Sequence, residues 1–391
     1  MPTNDRVAEI TPEVVAWRKH IHANPELGFA EHETAAFVAA KLSEFGLAVH
    51  TDVSQTAVVA TLTKGSGKRA IALRAELDAL PIEEATDVDY ASRNKGVMHA
   101  CGHDGHTAIL LGTAQLLAES GDFDGTVVFI FQPAEEVVGG GKKMIEDGLL
   151  KRFPVEKVFA IHNWPGFPKD QIGVLTGPQM AAVDDFEIRF HGSGCHAAMP
   201  HLGDDPVLAA ASFVTAIQRV VSRSIDPLSA AVLSVTQIHG GRFNNFVPTE
   251  ATVEGTCRFY DPALSDHCAA EIGRVAQAVA AMHGVAADLN YKRGYPPVVN
   301  PVAGAELATL AGRDTVGIER VSTDFPPSMG CEDFAFLLRG VGDGAYAWIG
   351  VGDVGPGEGL HGDRFVFDDD IVPVGMRYFL NVVHRALPRV R

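Results

Sequence analysis

The chain has 391 residues, a length that predicts two or three domains and a sizeable buried core. It carries 32 Lys and Arg against 49 Asp and Glu, and the resulting net charge of −17 disfavours binding to nucleic acids or to anionic membranes. No apolar run is long enough for a membrane span, no signal-peptide pattern opens the chain, and five cysteines are too few for a disulfide framework, so we expect a cytoplasmic protein.

The first third of the chain alternates apolar runs with one strongly helical stretch. Residues 56–63, 69–77, 126–131 and 157–161 have the composition of strands, and residues 106–119 that of a buried helix. Residues 126–131 are almost wholly apolar, as is typical of a strand covered on both faces. Strands separated by helices predict an α/β sheet with crossover connections.

A different pattern begins near residue 184. Strands are predicted at residues 185–190, 230–238, 249–259 and 286–292, and helices at 206–224 and 262–283. Their order, β-α-β-β-α-β, is that of a ferredoxin-like domain. The α/β character then returns and ends in a helix at 373–386. We therefore predict a domain at 184–293 inserted between two parts of a larger one, 1–183 and 294–391.

The densest polar cluster is His-Ala-Cys-Gly-His-Asp-Gly-His at residues 99–106. Cys101 and His103 are two positions apart, so an extended segment would place both side chains on one side. Thiolate and imidazole suit Zn, Co, Ni or Mn ions. We expect His99 and His106 to support these ligands rather than to bind metal. The alternative is a histidine-rich loop that only packs against a helix N-terminus.

A second cluster, Glu135 and Glu136, follows the strand at 126–131, where α/β sheets place their active sites. Consecutive residues of an extended chain point in opposite directions, so one carboxylate can bind metal while the other acts as general base. The alternative is a solvated acidic turn before a helix. His162 ends the next strand, and His361 lies in a glycine-rich loop.

Together these segments supply five candidate metal ligands, which are more than one zinc with an open coordination position needs. Two metals that share a bridging ligand would use all five, and Glu135 would remain as the base. The five are Cys101, His103, Glu136, His162 and His361.

Six short motifs are spread over nearly the whole chain. They are HANPELG at 22–28, RAELDALP at 74–81, MHACGHDGH at 98–106, FQPAEE at 131–136, GCHAAMPH at 194–201 and EDF at 332–334. In these motifs the chain strongly resembles the M20 metallopeptidase superfamily, in its amidohydrolase branch. That branch holds hippurate hydrolases, N-acyl-amino-acid amidohydrolases and auxin-conjugate hydrolases.

The resemblance implies a catalytic domain with two divalent metals (Zn, Mn, Co or Ni), interrupted by a lid or dimerisation domain. The five ligands above match the family's ligands, with Cys101 as the bridge, and Glu135 matches its general base. Asp78 matches the carboxylate that orients the ligands, and His196 the histidine that reaches the scissile carbonyl. Asn245 and Arg258 lie in the part of the chain where relatives hold the substrate carboxylate.

The implied reaction is hydrolysis of N-acyl amino acids, either hippurate-like or N-acetylated, to a carboxylic acid and a free amino acid. A metal-activated water would attack, with Glu135 as general base, and a homodimer or higher homo-oligomer is expected. Three alternatives stay open: an M20-type dipeptidase or aminopeptidase, a hydrolase with Cys101 as nucleophile, and an inactive binding protein on the same fold.

The sequence departs from many M20 peptidases at three positions. Glu76 stands where many of them have His, and Cys101 where they have Asp, and these changes point to the amidohydrolase branch. Cys331 replaces a Ser that commonly precedes the Glu-Asp-Phe motif. Nothing in the sequence explains that last change.

Overall fold

The computed structural model describes residues 4–137 and 139–389. The chain divides into two compact units. The first comprises Met1–Gln179, Val299–Pro326 and Asp333–Arg391, and the second comprises Met180–Val298 and Pro327–Glu332. The second unit thus extends beyond the predicted range 184–293 at both ends and takes in one further short segment.

The chain begins with the larger part of the first unit. Its elements are α1 (Asn4–Ala23), α2 (His32–Glu44), β1 (Ala48–His50), β2 (Val58–Lys64), β3 (Ala70–Glu76), α3 (His103–Ser120), β4 (Gly125–Gln132), α4 (Gly140–Glu146), α5 (Leu149–Arg152), β5 (Lys157–Pro165), β6 (Ile172–Gly173) and β7 (Gly177–Met180). The four strands predicted in this part correspond to β2, β3, β4 and β5, and the predicted helix to α3.

The second unit is a four-stranded antiparallel sheet with two helices. Its elements are β8 (Ala182–His191), β9 (Cys195–His196), α6 (Pro206–Ala216), β10 (Ala231–Gly240), β11 (Phe246–Val247), β12 (Glu250–Phe259), α7 (Ala263–His283) and β13 (Ala286–Arg293). The strands lie in the order β10-β12-β8-β13, which confirms the predicted ferredoxin-like arrangement. The predicted helix at 206–224 is too long, because α6 ends at Ala216 and a separate π-helical turn follows at Val220–Ser224.

The alternation of residues along β8 explains why this sheet buries one face. Phe186, Ile188 and Phe190 are buried in the core with α6 and α7, whereas Asp185 and Arg189, at positions that alternate with them, are exposed. Successive residues of a strand point to opposite faces of a sheet, so residues two positions apart share a face. The same pattern in the sequence predicted one covered and one free face.

The chain then returns to the first unit. The remaining elements are β14 (Val298–Asn300), α8 (Val302–Val316), β15 (Val321–Ser322), α9 (Phe334–Val341), β16 (Gly344–Gly352) and α10 (Val372–Ala386). The main sheet has the strand order β1-β2-β4-β3-β5-β16-β6-β15. Its centre, β4-β3-β5-β16, is parallel as predicted, but β1 and β2 run antiparallel to their neighbours, so the sheet is mixed.

The parallel centre of this sheet decides where polar side chains meet. Strands β3, β4 and β5 are neighbours, and their carboxyl ends open at the same edge. Helix α3 begins at that edge and is almost entirely buried in the core of the first unit. None of the helices in the described ranges is both long and apolar enough to cross a membrane.

Candidate metal centre

Three neighbouring strands bring most of the predicted site together. Asp78 lies two residues after β3, Glu135 and Glu136 follow β4, and His162 is near the end of β5. All of these residues, together with Cys101, His103 and His361, belong to the first unit. The sequence-predicted ligands and base are therefore assembled within one compact body.

Gly102 shapes the segment that carries Cys101 and His103. It adopts a left-handed conformation (φ 93°), and a Cβ at this position would lie 2.3 Å from Oδ1 of Asn163. The chain therefore turns sharply between the two ligands, and His103 is already the first residue of α3. The expectation of an extended segment here is wrong, although both side chains still point into the cluster.

The candidate ligand atoms form two groups that share Cys101. In the first group, Sγ of Cys101 and the ligand atoms of His103 and His162 all lie within 4.8 Å of one another. In the second group, the same is true of Sγ of Cys101 and the ligand atoms of Glu136 and His361. The sulfur is 3.4 Å from Nε2 of His162, and Nε2 of His361 is 3.2 Å from Oε1 of Glu136. Two groups with one common thiol are the arrangement expected for two cations and a bridging ligand.

The chemistry of these donors fits bound cations. Nε2 of His103 is buried without a hydrogen-bond partner among the described residues, a costly state that a cation would relieve. Burial lowers the pKa of His162 well below its ordinary value, which keeps a lone pair free. Burial, together with the carboxylates of Glu136 and Glu135, raises the pKa of the Cys101 thiol, so a thiolate here needs a nearby cation.

Asp78 contacts ligands of both groups. Its backbone oxygen accepts a hydrogen bond from Nδ1 of His103 at 2.9 Å, and its Oδ2 accepts one from the backbone N–H of Glu136, also at 2.9 Å. Burial disfavours a charged His103, but the carboxylates of Asp78, Glu76 and Glu136 outweigh this and raise its pKa to about 10. Asp78 is therefore placed to orient His103 and Glu136, and a proton competes with a cation for His103.

Glu135 lies beside the ligands rather than on the opposite side of the chain. Residues 135–137 form a turn and Ala134 has a positive φ of 53°, so the segment is not extended. Oxygen atoms of Glu135 and Glu136 and a ring nitrogen of His103 lie within 4.8 Å of one another. The expectation that the two carboxylates point apart is wrong, because it assumed extended backbone.

A buried polar network surrounds the ligands, and the sequence analysis missed most of it. Nδ1 of His106 lies 2.9 Å from Oε2 of Glu76, and its Nε2 lies 2.8 Å from Oδ1 of Asn163. Glu76 also pairs with Arg74. His106 thus lies in this network, and its ring also forms a candidate metal-ligand group with Glu76 and His103, so its supporting role stays a prediction. His99 is buried, but its ring nitrogens make no hydrogen bond in the part of the chain that is described.

An aromatic pair next to His162 was also missed. Trp164 stacks on Trp348 with ring centroids 3.9 Å apart and an interplanar angle of 4°. Trp164 meets the His162 ring edge-on at 5.8 Å. His162 and Trp164 are two positions apart, directly after the strand predicted at 157–161. A strand that continued through both would place the two rings on one face, which was the available signal.

The catalytic candidate His196 and the substrate-binding candidates Asn245 and Arg258 lie in the second unit. His196 is exposed on β9, and its Nδ1 accepts a hydrogen bond from the backbone N–H of Ala198. Asn245 lies close to His196, because its backbone oxygen accepts a hydrogen bond from the backbone N–H of Ala197 at 3.1 Å. Arg258 lies on β12, half-buried. The structure thus brings His196 and Asn245 together where β9 pairs with β11 in a two-stranded sheet, whereas Arg258 lies on β12.

Comparison with known proteins decides the family. The model of peptidase family M20/M25/M40 matches residues 72–385. The chain belongs to this family. It is 42% identical over 296 residues to an N-acyl-L-amino acid amidohydrolase of Geobacillus stearothermophilus, covering 75% of this chain and 80% of that protein. It is 36% identical over 381 residues to thermostable carboxypeptidase 2 of Saccharolobus solfataricus, covering 94% of each.

A solved structure supports the same assignment. The crystal structure of a Bacillus subtilis M20-family protein, described as a dinuclear metal-binding peptidase, superposes with a TM-score of 0.85 at 32% identity, covering 98% of this chain and 100% of that one. The chain is accordingly a hydrolase of the M20 amidohydrolase family, and it carries clusters of side chains that could hold metal ions.

Proposed function

We propose that this M20 member hydrolyses the amide bond of N-acyl amino acids to a carboxylic acid and a free amino acid. The observation that carries the proposal is the convergence of five ligand side chains, in two groups around Cys101, with the carboxylate of Glu135 beside them. The similarity to a named N-acyl-L-amino acid amidohydrolase supports this substrate class.

Bound divalent cations in this site would polarise the amide carbonyl and acidify a water molecule. The ligands would be Cys101, His103, Glu136, His162 and His361. Glu135, buried next to them, would take the proton of the attacking water and return it to the leaving amine. Asp78 would hold His103 and Glu136 through the hydrogen bonds that its backbone oxygen and its carboxylate accept from them.

The roles of the second-unit residues remain predictions from the resemblance. We propose that His196 acts on the scissile carbonyl and that Asn245 and Arg258 bind the carboxylate of the amino-acid half. A lid or dimerisation role for the second unit, a homo-oligomeric assembly and a cytoplasmic location likewise stay predictions.

A substrate panel tests the proposal most simply. The protein is assayed on N-acetyl, N-benzoyl and indole-acyl amino acids in the presence of Zn, Mn, Co or Ni, with wild type and Glu135→Gln in parallel. We expect hydrolysis by wild type and a loss of about 10²–10⁴-fold in Glu135→Gln, the usual contribution of a general base. Glu135→Gln with full turnover, or a metal-loaded wild type inactive on the whole panel, would contradict the proposal.

A peptidase activity is the second candidate, favoured by the similarity to a carboxypeptidase. Dipeptides added to the same panel discriminate between the two, since a peptidase should prefer them over N-acyl amino acids. A binding protein without activity would hydrolyse neither class.

A cysteine hydrolase is disfavoured by the environment of Cys101, because a nucleophilic thiolate needs a lowered pKa and here the pKa is raised. Its distinguishing result would be activity that survives a chelator but is lost with a thiol reagent.

A further inference from the structure

A second buried carboxylate, that of Asp333, ties down the turn that carries Glu135 and Glu136. We call residues 133–137 the glutamate turn. Gln132 directly precedes the turn, and its Nε2 donates to Oδ1 and Oδ2 of Asp333 at 2.8 and 2.9 Å. Gly141, beyond the turn at the start of α4, donates its backbone N–H to Oδ2 at 2.8 Å. One side chain therefore holds the chain on both sides of the turn.

Asp333 is itself fixed from the sheet. Its Oδ1 accepts a hydrogen bond from Nη2 of Arg74 on β3 at 2.8 Å, and Nε of the same guanidinium donates to Oε1 of Gln132 at 2.9 Å. All three side chains are fully buried. Carboxylate, amide and guanidinium thus close a ring of charge-assisted hydrogen bonds, an arrangement that permits little movement.

The backbone of Asp333 contacts the proposed base directly. Its N–H donates to Oε1 of Glu135 at 3.2 Å. The glutamate turn contains a non-glycine residue at positive φ, Ala134, and such a conformation persists only where the surroundings enforce it. Asp333 supplies that restraint and at the same time orients the carboxylate of Glu135.

Glu136 is anchored outside the Asp333 ring, by a carboxylate that also contacts the backbone of Glu135. Its backbone N–H is held by Oδ2 of Asp78, which belongs to the loop after β3 and not to the Asp333 ring. Because the backbone of Asp333 contacts the carboxylate of Glu135, loss of the Asp333 side chain should displace Glu135 more than it disturbs the ligand set.

We propose that Asp333 is a positioning residue for Glu135, acting through the glutamate turn rather than by touching substrate. The proposal has two parts. That Asp333 restrains the glutamate turn does not depend on the proposed function and can be measured without any substrate. That this restraint positions the general base rests on the proposed function, in which Glu135 is that base.

The test compares wild type with Asp333→Asn, which keeps the shape of the side chain but replaces an acceptor oxygen by an amide. Hydrogen exchange of peptides covering residues 133–137 should be faster by about tenfold or more in Asp333→Asn. Metal content should remain as in wild type. Because a misplacement of about 1 Å lowers a rate by about 10²-fold, kcat on the substrate found in the panel should fall by that order while KM changes little.

Asp184→Asn is the matched control. Asp184 is a buried carboxylate of the second unit that accepts hydrogen bonds from the Tyr291 hydroxyl at 2.8 Å and from the Gly294 N–H at 3.1 Å. Its variant loses a comparable set of contacts, but exchange in residues 133–137 should remain as in wild type. Equal acceleration in both variants would show a general loss of stability and would overturn the proposal.

A second variant keeps the proposal open to refutation if Asp333→Asn does not fold. Gln132→Met removes only the tie on one side of the turn, so exchange should rise and kcat should fall by smaller factors. Unchanged exchange at 133–137 in either folded variant would overturn the restraint. Faster exchange with unchanged kcat, in an enzyme that is active on the panel, would overturn the link to Glu135. A wild type without activity contradicts only the proposed function, since the exchange measurement still decides the restraint.

Discussion

His22 makes the stability of the first unit depend on pH. It lies at the end of α1, fully buried, with Nδ1 2.9 Å from Oδ2 of Asp104 and Nε2 3.3 Å from Oε1 of Glu84. Burial opposes the charged imidazolium, but these two carboxylates outweigh it and raise the pKa of His22 from 6.5 to about 9. The folded protein therefore binds this proton more tightly than the unfolded chain does.

The size and sign of the effect follow from that shift. Stability from the charged His22 is fully present below its unfolded pKa and is lost as the pH rises through about 9. A difference of this size corresponds to about 3 kcal/mol at pH 6 and about 2 kcal/mol at pH 7.5, and little remains at pH 9.5.

Urea unfolding of wild type and His22→Gln at these three pH values measures the contribution. The three tryptophans, Trp17, Trp164 and Trp348, all belong to the first unit, so their fluorescence reports its unfolding. The wild-type advantage in unfolding free energy should shrink by about 3 kcal/mol between pH 6 and pH 9.5. An advantage that is constant over this range would refute a charged His22 held by Asp104 and Glu84.

Three further predictions concern other parts of the molecule. Gly102→Ala should destabilise the first unit by about 1–3 kcal/mol and weaken metal binding, because residue 102 has φ 93° and the new methyl group would collide with Asn163. Urea unfolding followed by tryptophan fluorescence measures the stability, and elemental analysis measures the bound metal. Asp184→Ala should lower the stability of the second unit by about 3 kcal/mol, since it leaves the Tyr291 hydroxyl and other donors unpaired, as thermal circular dichroism would show. Zinc uptake should release protons, and the zinc affinity should rise as the pH rises towards 10, because His103 must lose its proton before it binds the metal. Calorimetry in two buffers of different ionisation enthalpy measures the proton release. A zinc affinity that does not depend on pH would contradict this prediction.

Local patterns in the sequence predicted the fold well because one face or both faces of most strands are buried. The alternation along 185–190 and the apolar run at 126–131 led directly to β8 and β4, and the ferredoxin-like order followed from the succession of elements. The antiparallel β1 and β2 were not predicted, since strand direction depends on pairing partners distant in the chain.

The candidate site was predictable in its residue types but not in its local geometry. Strand-end positions indicated that Glu135, Glu136 and His162 would meet. The sequence-based prediction assumed extended backbone at Cys101–His103 and at the glutamate turn. Gly102 and Ala134 have positive φ angles, so the backbone is not extended at either place.

The partners of the buried network could not be read from the sequence at all. Asp333 lies 259 residues from Arg74 and 201 from Gln132, and only the folded sheet brings them together. The Glu-Asp-Phe motif drew attention to this segment, but a motif does not show which groups its carboxylate contacts.

The most direct test of the central claim is the number of metal ions per chain, measured by elemental analysis of the purified protein after equilibration with each divalent metal. The shared Cys101 predicts two ions in wild type and in Glu135→Gln, a marked loss in Cys101→Ala, and hydrolysis only in loaded wild type. Full turnover by a chelated protein without metal, or two ions bound as tightly by Cys101→Ala as by wild type, would contradict a dinuclear centre bridged by Cys101.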